Sequence, residues 1–167
     1  IEENDLEQLK NFRNQPYIRK MCREYRLLNM ENQRRWFHSL TEDKNTIMFA
    51  MESRSTKKLI GACGLTYIDW KNRKAELSIY GGSKNWQEDP LIVDALETLM
   101  KYAFCEVNLH KLYAEVFAFN RQTAKLLENC NFTKTGVMKA NNFEDGKFWD
   151  SYIYSILRDE YDKSVQS

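Results

Sequence analysis

Leu59-Ile60-Gly61-Ala62-Cys63-Gly64-Leu65-Thr66-Tyr67-Ile68-Asp69-Trp70, followed by Lys71-Asn72-Arg73-Lys74 and then Ala75-Glu76-Leu77-Ser78-Ile79-Tyr80-Gly81, is the stretch whose reading decides the fold. From Ala75 to Tyr80 the side chains alternate. Ala75, Leu77 and Ile79 fall on one face, and Glu76, Ser78 and Tyr80 on the other, which is the period of a strand. Leu59 to Trp70 reads as a long strand with room for a bend at Gly61 or Gly64. Lys71-Asn72-Arg73 makes a tight connection without the Asn-Gly signature. Upstream, Thr46 to Met51 reads as another strand, joined across the polar turn Ser53 to Lys58. The three strands form an antiparallel meander.

Outside the meander the period changes. Leu91 to Cys105 carries Ile92, Leu96, Leu99 and Ala103 on one helical stripe. Leu112 to Ala118 alternates again, with Tyr113, Glu115 and Phe117 on one face. Asn120 caps a helix that runs through Asn129, with Ala124 and Leu127 inward. Phe132 to Met138 and Phe148 to Ile156 read as an antiparallel pair around the turn Glu144-Asp145-Gly146-Lys147. On the N-terminal side, Leu6, Leu9 and Phe12 mark a helix over Asn4 to Phe12. Asn14-Gln15-Pro16 stops it, because the residue before proline is pushed out of the helical region. A short helix follows over Tyr17 to Met21. A third, capped by Asn29, carries Met30, Gln33, Phe37 and Leu40 and leaves Trp36 and His38 off the stripe. The polar tail after Asp159 is expected to fray. The fold class is α/β: one domain over residues 1–167, a mixed twisted sheet flanked by helices.

Composition narrows the function. The chain has 167 residues, 43% of them hydrophobic, enough for one domain with a real core. Twenty-five basic residues face 24 acidic ones, for a net charge of +1, which argues against a nucleic-acid surface. Cys22, Cys63, Cys105 and Cys130 include no close pair, so neither a zinc ribbon nor a redox CxxC is present, and they read as core residues. Two histidines exclude a histidine-rich metal centre. No apolar run spans a bilayer and no secretory leader is seen, so a cytoplasmic, membrane-free protein is expected. No GxGxxG follows a predicted strand and there is no GxxxxGK[ST], which disfavours dinucleotide and P-loop chemistry.

Several stretches carry a resemblance. They are Phe12-Arg13-Asn14-Gln15-Pro16, Trp36-Phe37, Ile60 to Leu65, Ile68 to Leu77, Leu109-His110-Lys111-Leu112 through Val116 to Asn120, Leu127-Glu128-Asn129-Cys130-Asn131-Phe132, Gly146 to Asp150 and Leu157 to Tyr161. Together they resemble the GNAT N-acetyltransferase superfamily, closest to the branch of ribosomal-protein N-terminal, spermidine and amino-sugar acetyltransferases. The resemblance covers nearly the whole chain and implies the acyl-CoA N-acyltransferase fold. That family has a strand before its first helix. Ile1 to Asp5 resembles only the end of that lead-in, so the first strand is expected to be missing, and a homodimer or partner segment is a possibility for the open edge.

The resemblance also implies a site. Acetyl-CoA would enter between two parallel strands, Glu76 to Gly81 and Leu112 to Phe119. The backbone of Ile79, Tyr80 and Gly81 would hold the pantetheine arm and Asn120 would bond it from the far side; Asn120 is also readable as a plain helix cap. Gly82, Lys84, Trp86, Leu91 and Lys125 complete the cofactor set. Glu76 is the candidate general base, readable alternatively as a sheet-surface residue paired with Arg73 or Lys74. Tyr113 and Tyr80 are weaker candidate acids, both readable as packing or cleft-wall residues. Many members use a tyrosine on the late helix, where Leu127 stands here. Asp69, Trp70, Trp36 and Trp149 are candidate amine-site residues, each readable as packing. No metal is implied.

One departure qualifies the resemblance. The family's pyrophosphate loop uses glycines so that backbone N–H groups close around phosphate at a helix N-terminus. Here the stretch is Ser83-Lys84-Asn85-Trp86-Gln87-Glu88-Asp89-Pro90-Leu91, with no glycine after Trp86. Asp89-Pro90 reads as an N-cap followed by proline at the first helical position. Asp89 would occupy donors that phosphate needs, Glu88 would repel it, and Lys84 would compensate in part. Two readings follow: an acetyltransferase with an altered diphosphate grip, or a catalytically silent binding module. For the first, the amine is a peptide or protein N-terminus, an amino sugar or a polyamine. The peptide ranks first because that branch is the closest match, and backbone near Leu65 to Trp70 is available for it to pair with.

Overall fold

The structure, a computed structural model, describes residues 1–166. Three helices come first: α1 (Leu6–Asn14), α2 (Pro16–Arg19) and α3 (Met30–Glu42). The meander β1 (Ile47–Glu52), β2 (Leu59–Asp69) and β3 (Lys74–Gly81) follows. Then come α4 (Pro90–Lys101), β4 (Lys111–Phe117), α5 (Arg121–Asn129), β5 (Thr133–Glu144), β6 (Lys147–Leu157) and α6 (Arg158–Gln166). The six strands make one sheet in the order β1-β2-β3-β4-β6-β5. Only β3 and β4 run parallel; all other neighbours are antiparallel. This is the mixed sheet that the sequence predicts.

Local chemistry explains the elements. Gln15 takes an extended conformation ahead of Pro16 and ends α1. Asn29 and Asn32 cap α3 reciprocally, each side chain accepting the other's backbone N–H, at 2.9 and 3.0 Å. In α4, Ile92, Leu96 and Leu99 are buried as the stripe requires, and they meet Leu65, Phe104, Leu112 and Ile156 in the core. After Lys101 the helix widens into a π turn, Tyr102–Glu106. In the β5–β6 turn, Asp145 and Gly146 both have positive φ, 51° and 77°, the conformation that an Asp-Gly pair favours.

Three expectations are corrected and one is extended. β2 is irregular beside Gly61, as expected, where Met51 pairs with Gly61 and Glu52 with Leu59 so that Ile60 is the extra residue, and again between Thr66 and Asp69, where Tyr67 has φ 50°. Tyr67 points out, Ile68 turns into the core, and the Ile68 N–H bonds Asn45 O at 2.9 Å. β5 continues past Met138 to Glu144 because a bulge is pinned where the Ala140 N–H donates to Asp150 Oδ1 at 2.9 Å. The tail after Asp159 is helical: Tyr161 stacks on Phe104, ring centroids 4.9 Å apart, and Arg158 bonds the Phe104 carbonyl. Cys63 and Cys130 are buried, but Cys22 is half-buried and Cys105 lies exposed on the π turn; all four are free thiols. Among the described residues no helix is long and apolar enough to cross a membrane, and no cluster of His, Cys, Asp and Glu is arranged for a metal ion.

Candidate active site

The site begins where the sheet comes apart. β3 and β4 pair at Lys74 with Lys111, Ala75 with Leu112 and Glu76 with Tyr113, and then separate. β3 stays bonded to β2 as far as Gly61 with Gly81, and β4 stays bonded to β6 as far as Phe117 with Ser151. Across the β2–β3 edge, the Gly82 N–H bonds Ile60 O at 2.8 Å. Alternation then turns the backbone groups of Leu77, Ile79 and Gly81 the other way, toward β4, where no strand meets them. The gap is a cleft of about 330 Å³ whose walls include Ile79, Tyr80, Trp86, Asn120 and Leu127. A second cavity of about 460 Å³ shares Arg13, Glu24, Thr66, Ser78 and Tyr80 with it and adds Trp36.

Glu76 is buried at the closed end of the cleft, 7% exposed. Its partner is Arg23, from the coil between α2 and α3, and not Arg73 or Lys74. Arg23 Nη1 donates to Glu76 Oε2 at 3.1 Å and Nη2 to Oε1. The same guanidinium donates to Glu115 Oε2, from Nη2 at 2.7 Å and Nε at 3.1 Å. Glu115 Oε1 accepts from Ser151 Oγ at 2.6 Å and Asn141 Nδ2 at 2.8 Å. One cation therefore bridges two carboxylates on the cleft wall. Burial works against the Arg23 charge, but the hydrogen bonds and charges of Glu76 and Glu115 outweigh it and push its pKa up. Burial raises Glu115, yet the hydrogen bonds from Ser151 and Arg23 and the Arg23 charge hold it below the usual carboxylate range. Burial, and then the Glu76 charge, raise Tyr113. Burial also pushes up Tyr80, whose ring lies 5.2 Å from the Arg13 guanidinium.

Asn120 is the α5 cap: its Oδ1 accepts the Thr123 N–H at 3.3 Å. Its amide nitrogen has no hydrogen-bond partner among the described residues and remains available on the cleft wall. Gly81 and Gly82 serve packing. A Cβ on Gly81 would lie 2.4 Å from Trp86 Cβ, and one on Gly82 would lie 2.4 Å from the Phe12 ring. Gly82 also spends both backbone groups within the protein, since its carbonyl accepts from Tyr17 Oη at 3.1 Å.

The chain matches the model of the acetyltransferase (GNAT) domain over residues 1–133. It belongs to the GNAT acetyltransferase family. An N-acetyltransferase of Bacillus licheniformis, p20, is 31% identical over 113 residues, 68% of this chain and 63% of that protein. The spermidine N(1)-acetyltransferase of Vibrio cholerae is 26% identical over 161 residues, covering 96% and 92%. The crystal structure of the Vibrio cholerae spermidine N-acetyltransferase in complex with CoA and spermine superposes with a TM-score of 0.86 at 25% identity, over 96% of this chain and 94% of that one. The protein is thus an N-acetyltransferase of GNAT type, acting on an amine.

Within this GNAT domain the expected residues divide. Glu76, Ile79, Tyr80, Trp86 and Asn120 border the cleft, and Tyr113 sits at its closed end beside Glu76. Trp36 lines the adjoining cavity. The rest lie elsewhere. Asp69 accepts from Asn72 in the β2–β3 turn, at 2.9 Å from the backbone and 2.7 Å from Nδ2. Trp70 Nε1 donates to Asn45 Oδ1 at 3.1 Å. Trp149 packs edge-on against Phe119 in the terminal hairpin. Leu91 lines a separate groove with Phe49 and Tyr102. Lys84 and Lys125 are exposed side chains outside the cleft walls. Glu115 and Arg23 are not among the candidates that the sequence offers. Glu115 carried a signal, since it stands two positions beyond Tyr113 on the same strand face. Arg23 carried none, because it sits in coil with no period to place it.

Proposed function

We propose that the protein transfers an acetyl group from acetyl-CoA to the primary amine of a small molecule, and that a polyamine is the best-supported class. The observation that carries this reading is the parting of β3 and β4 beyond Glu76 and Tyr113, which leaves strand backbone facing a cleft of ligand size. The Leu77, Ile79 and Gly81 backbone and the Asn120 amide nitrogen suit the amide groups of a pantetheine arm. The cofactor supplies the acetyl group as a thioester: the C–N bond forms, the C–S bond breaks, the thiol leaves with one proton, and the ammonium loses a second to solvent.

The chain's part is to hold the amine and move the proton. Each Glu76 oxygen accepts one bond from Arg23 and keeps a second lone pair, so an amine or a bridging water has an acceptor at the closed end of the cleft. Tyr113, raised in pKa and so protonated at neutral pH, is the neighbouring donor for the leaving thiolate. The Arg23 guanidinium occupies the position between Glu76 and Glu115 that an alkylammonium would suit.

A small amine is favoured over a peptide by the backbone around Leu65. That residue pairs with Ile47 on one side and Leu77 on the other, and the Ile68 N–H is taken by Asn45, so a peptide strand has no edge to join there. The spermine in the solved relative points the same way. The carboxylates that line the cleft are Glu76 and Glu115, bridged by Arg23, and Glu24, paired with Arg26; Asp150 accepts the Ala140 N–H apart from them. Thiol release from acetyl-CoA, followed with spermidine, spermine, a nucleotide-linked amino sugar and peptides with free N-termini, tests the reading. Saturable turnover of the polyamines is expected. Turnover of peptides alone would overturn the substrate class, and no turnover of any amine would favour the silent module.

A further inference from the structure

Beside the cleft, the N-terminus of α4 is the place where a family member would take the diphosphate of CoA. Its donors can be accounted for one by one. The Glu88 N–H bonds Asn85 O at 3.0 Å and the Asp89 N–H bonds Trp86 O at 3.1 Å, both in the short 3-10 turn before the helix. Pro90 has no N–H. The Leu91 N–H is bonded by the Asp89 side chain, Oδ1, at 2.9 Å. The Ile92 and Val93 N–H groups both go to the Asp89 carbonyl, at 2.9 and 3.2 Å. From Glu88 to Val93 the backbone has no donor to spare.

The surroundings reinforce this. Gln87 is buried, its Nε2 bonds Thr123 Oγ1 at 3.3 Å, and its Oε1 has no partner among the described residues. The Asp89 carboxylate and the exposed Glu88 place negative charge at the one helix end whose dipole would otherwise welcome an anion. The nearby cations, Lys84 before the turn and Arg121 and Lys125 on α5, are exposed point charges, each of small effect in water.

We infer that the acyl donor is recognised through its pantetheine arm and not through its adenosine diphosphate, so that a pantetheine thioester without the nucleotide serves the protein about as well as acetyl-CoA. The inference deepens the proposed function, since it takes the β3–β4 cleft as the donor site. It reassigns only what the donor must contain. The pantetheine groups that Leu77, Ile79, Gly81 and Asn120 would meet are present in both donors, and the transferred bond is the same thioester.

Calorimetric titration of the full chain with CoA, pantetheine and adenosine 3′,5′-diphosphate tests it without need of turnover. Expected dissociation constants for CoA and pantetheine agree within about threefold, with no binding of the nucleotide at millimolar concentration. CoA binding about 100-fold tighter than pantetheine, or measurable nucleotide binding, would overturn the inference. So would failure of both CoA and pantetheine to bind, which would remove the proposed donor site with it. Equal binding without acetyl transfer to any amine would contradict the proposed function while leaving this inference standing. Asp89→Gly gives a second reading that does not depend on loss. It frees the Leu91 N–H and removes a charge, so CoA should gain about three- to tenfold over pantetheine. An unchanged ratio would count against the inference.

Discussion

At the scale of single residues, Arg23 determines what Glu76 and Glu115 are free to do. It holds the buried Glu76 and the partly buried Glu115 together on the wall of the cleft, and both would otherwise be unpaired charges there. Replacing Glu76 with glutamine keeps the volume and one acceptor but removes the carboxylate that the proposed function uses as its base. The expected outcome is a fall of about 10²- to 10⁴-fold in kcat/KM with CoA affinity retained. An unchanged rate and pH profile would assign proton removal to another group. Glu115 carries a prediction about stability. Its pKa is depressed in the folded state, so the stabilisation it gives is present above its unfolded pKa and is lost as pH falls through the folded value. Denaturant unfolding of the wild type and Glu115→Gln should differ by about 1 kcal/mol near neutral pH, a modest figure because Arg23 is half exposed, and the gap should close in acid. A gap that widens in acid would contradict the assignment. Of these residues the sequence exposes Glu76 through strand alternation. It hides Arg23, because coil carries no period and a long flexible side chain can be delivered from anywhere within its reach.

At the scale of elements, α4 shows how far local chemistry is legible. Asp89 before Pro90 announces a self-capped helix, and the bond from the Leu91 N–H is present at 2.9 Å. Asp89→Ala should cost about 1 kcal/mol, read as a shift in denaturation midpoint with an unchanged m-value. No shift would mean that the cap contributes nothing to the helix. Gly81 makes the contrasting case. A strand-end glycine before a loop suggests freedom, yet the contact that requires it is Trp86, five residues on and folded back upon it. Gly81→Ala should destabilise by about 1–3 kcal/mol through overpacking; an unaffected midpoint would show that Trp86 yields without cost. The Tyr67 bulge was likewise illegible. It depends on Asn45 supplying an acceptor to Ile68 across the β1–β2 edge, which no reading of β2 by itself contains. The α6 helix was missed for the same reason, since Tyr161 finds its partner in Phe104 and not in its own segment.

At the scale of the whole molecule, the order of elements was readable because each strand and helix has a clean period and each turn its own chemistry. The function rests on something no single element carries: two parallel strands that pair at their beginnings and then diverge. The cofactor residues that survive into the cleft are those on the diverging strands and at the α5 cap, together with Trp86 from the 3-10 turn before α4. The four amine-site candidates rest on residue type alone: Trp36 lines the adjoining cavity, and Asp69, Trp70 and Trp149 lie outside both because aromatic and acidic side chains at turns serve turns. Amide hydrogen exchange with and without CoA tests the central claim most directly, that the donor lies in this parting. The account predicts added protection over Leu77 to Gly81 and none over Pro90 to Val93, whose donors are already engaged within the helix. CoA binding that leaves β3 unchanged, or that protects the first turn of α4, would contradict it.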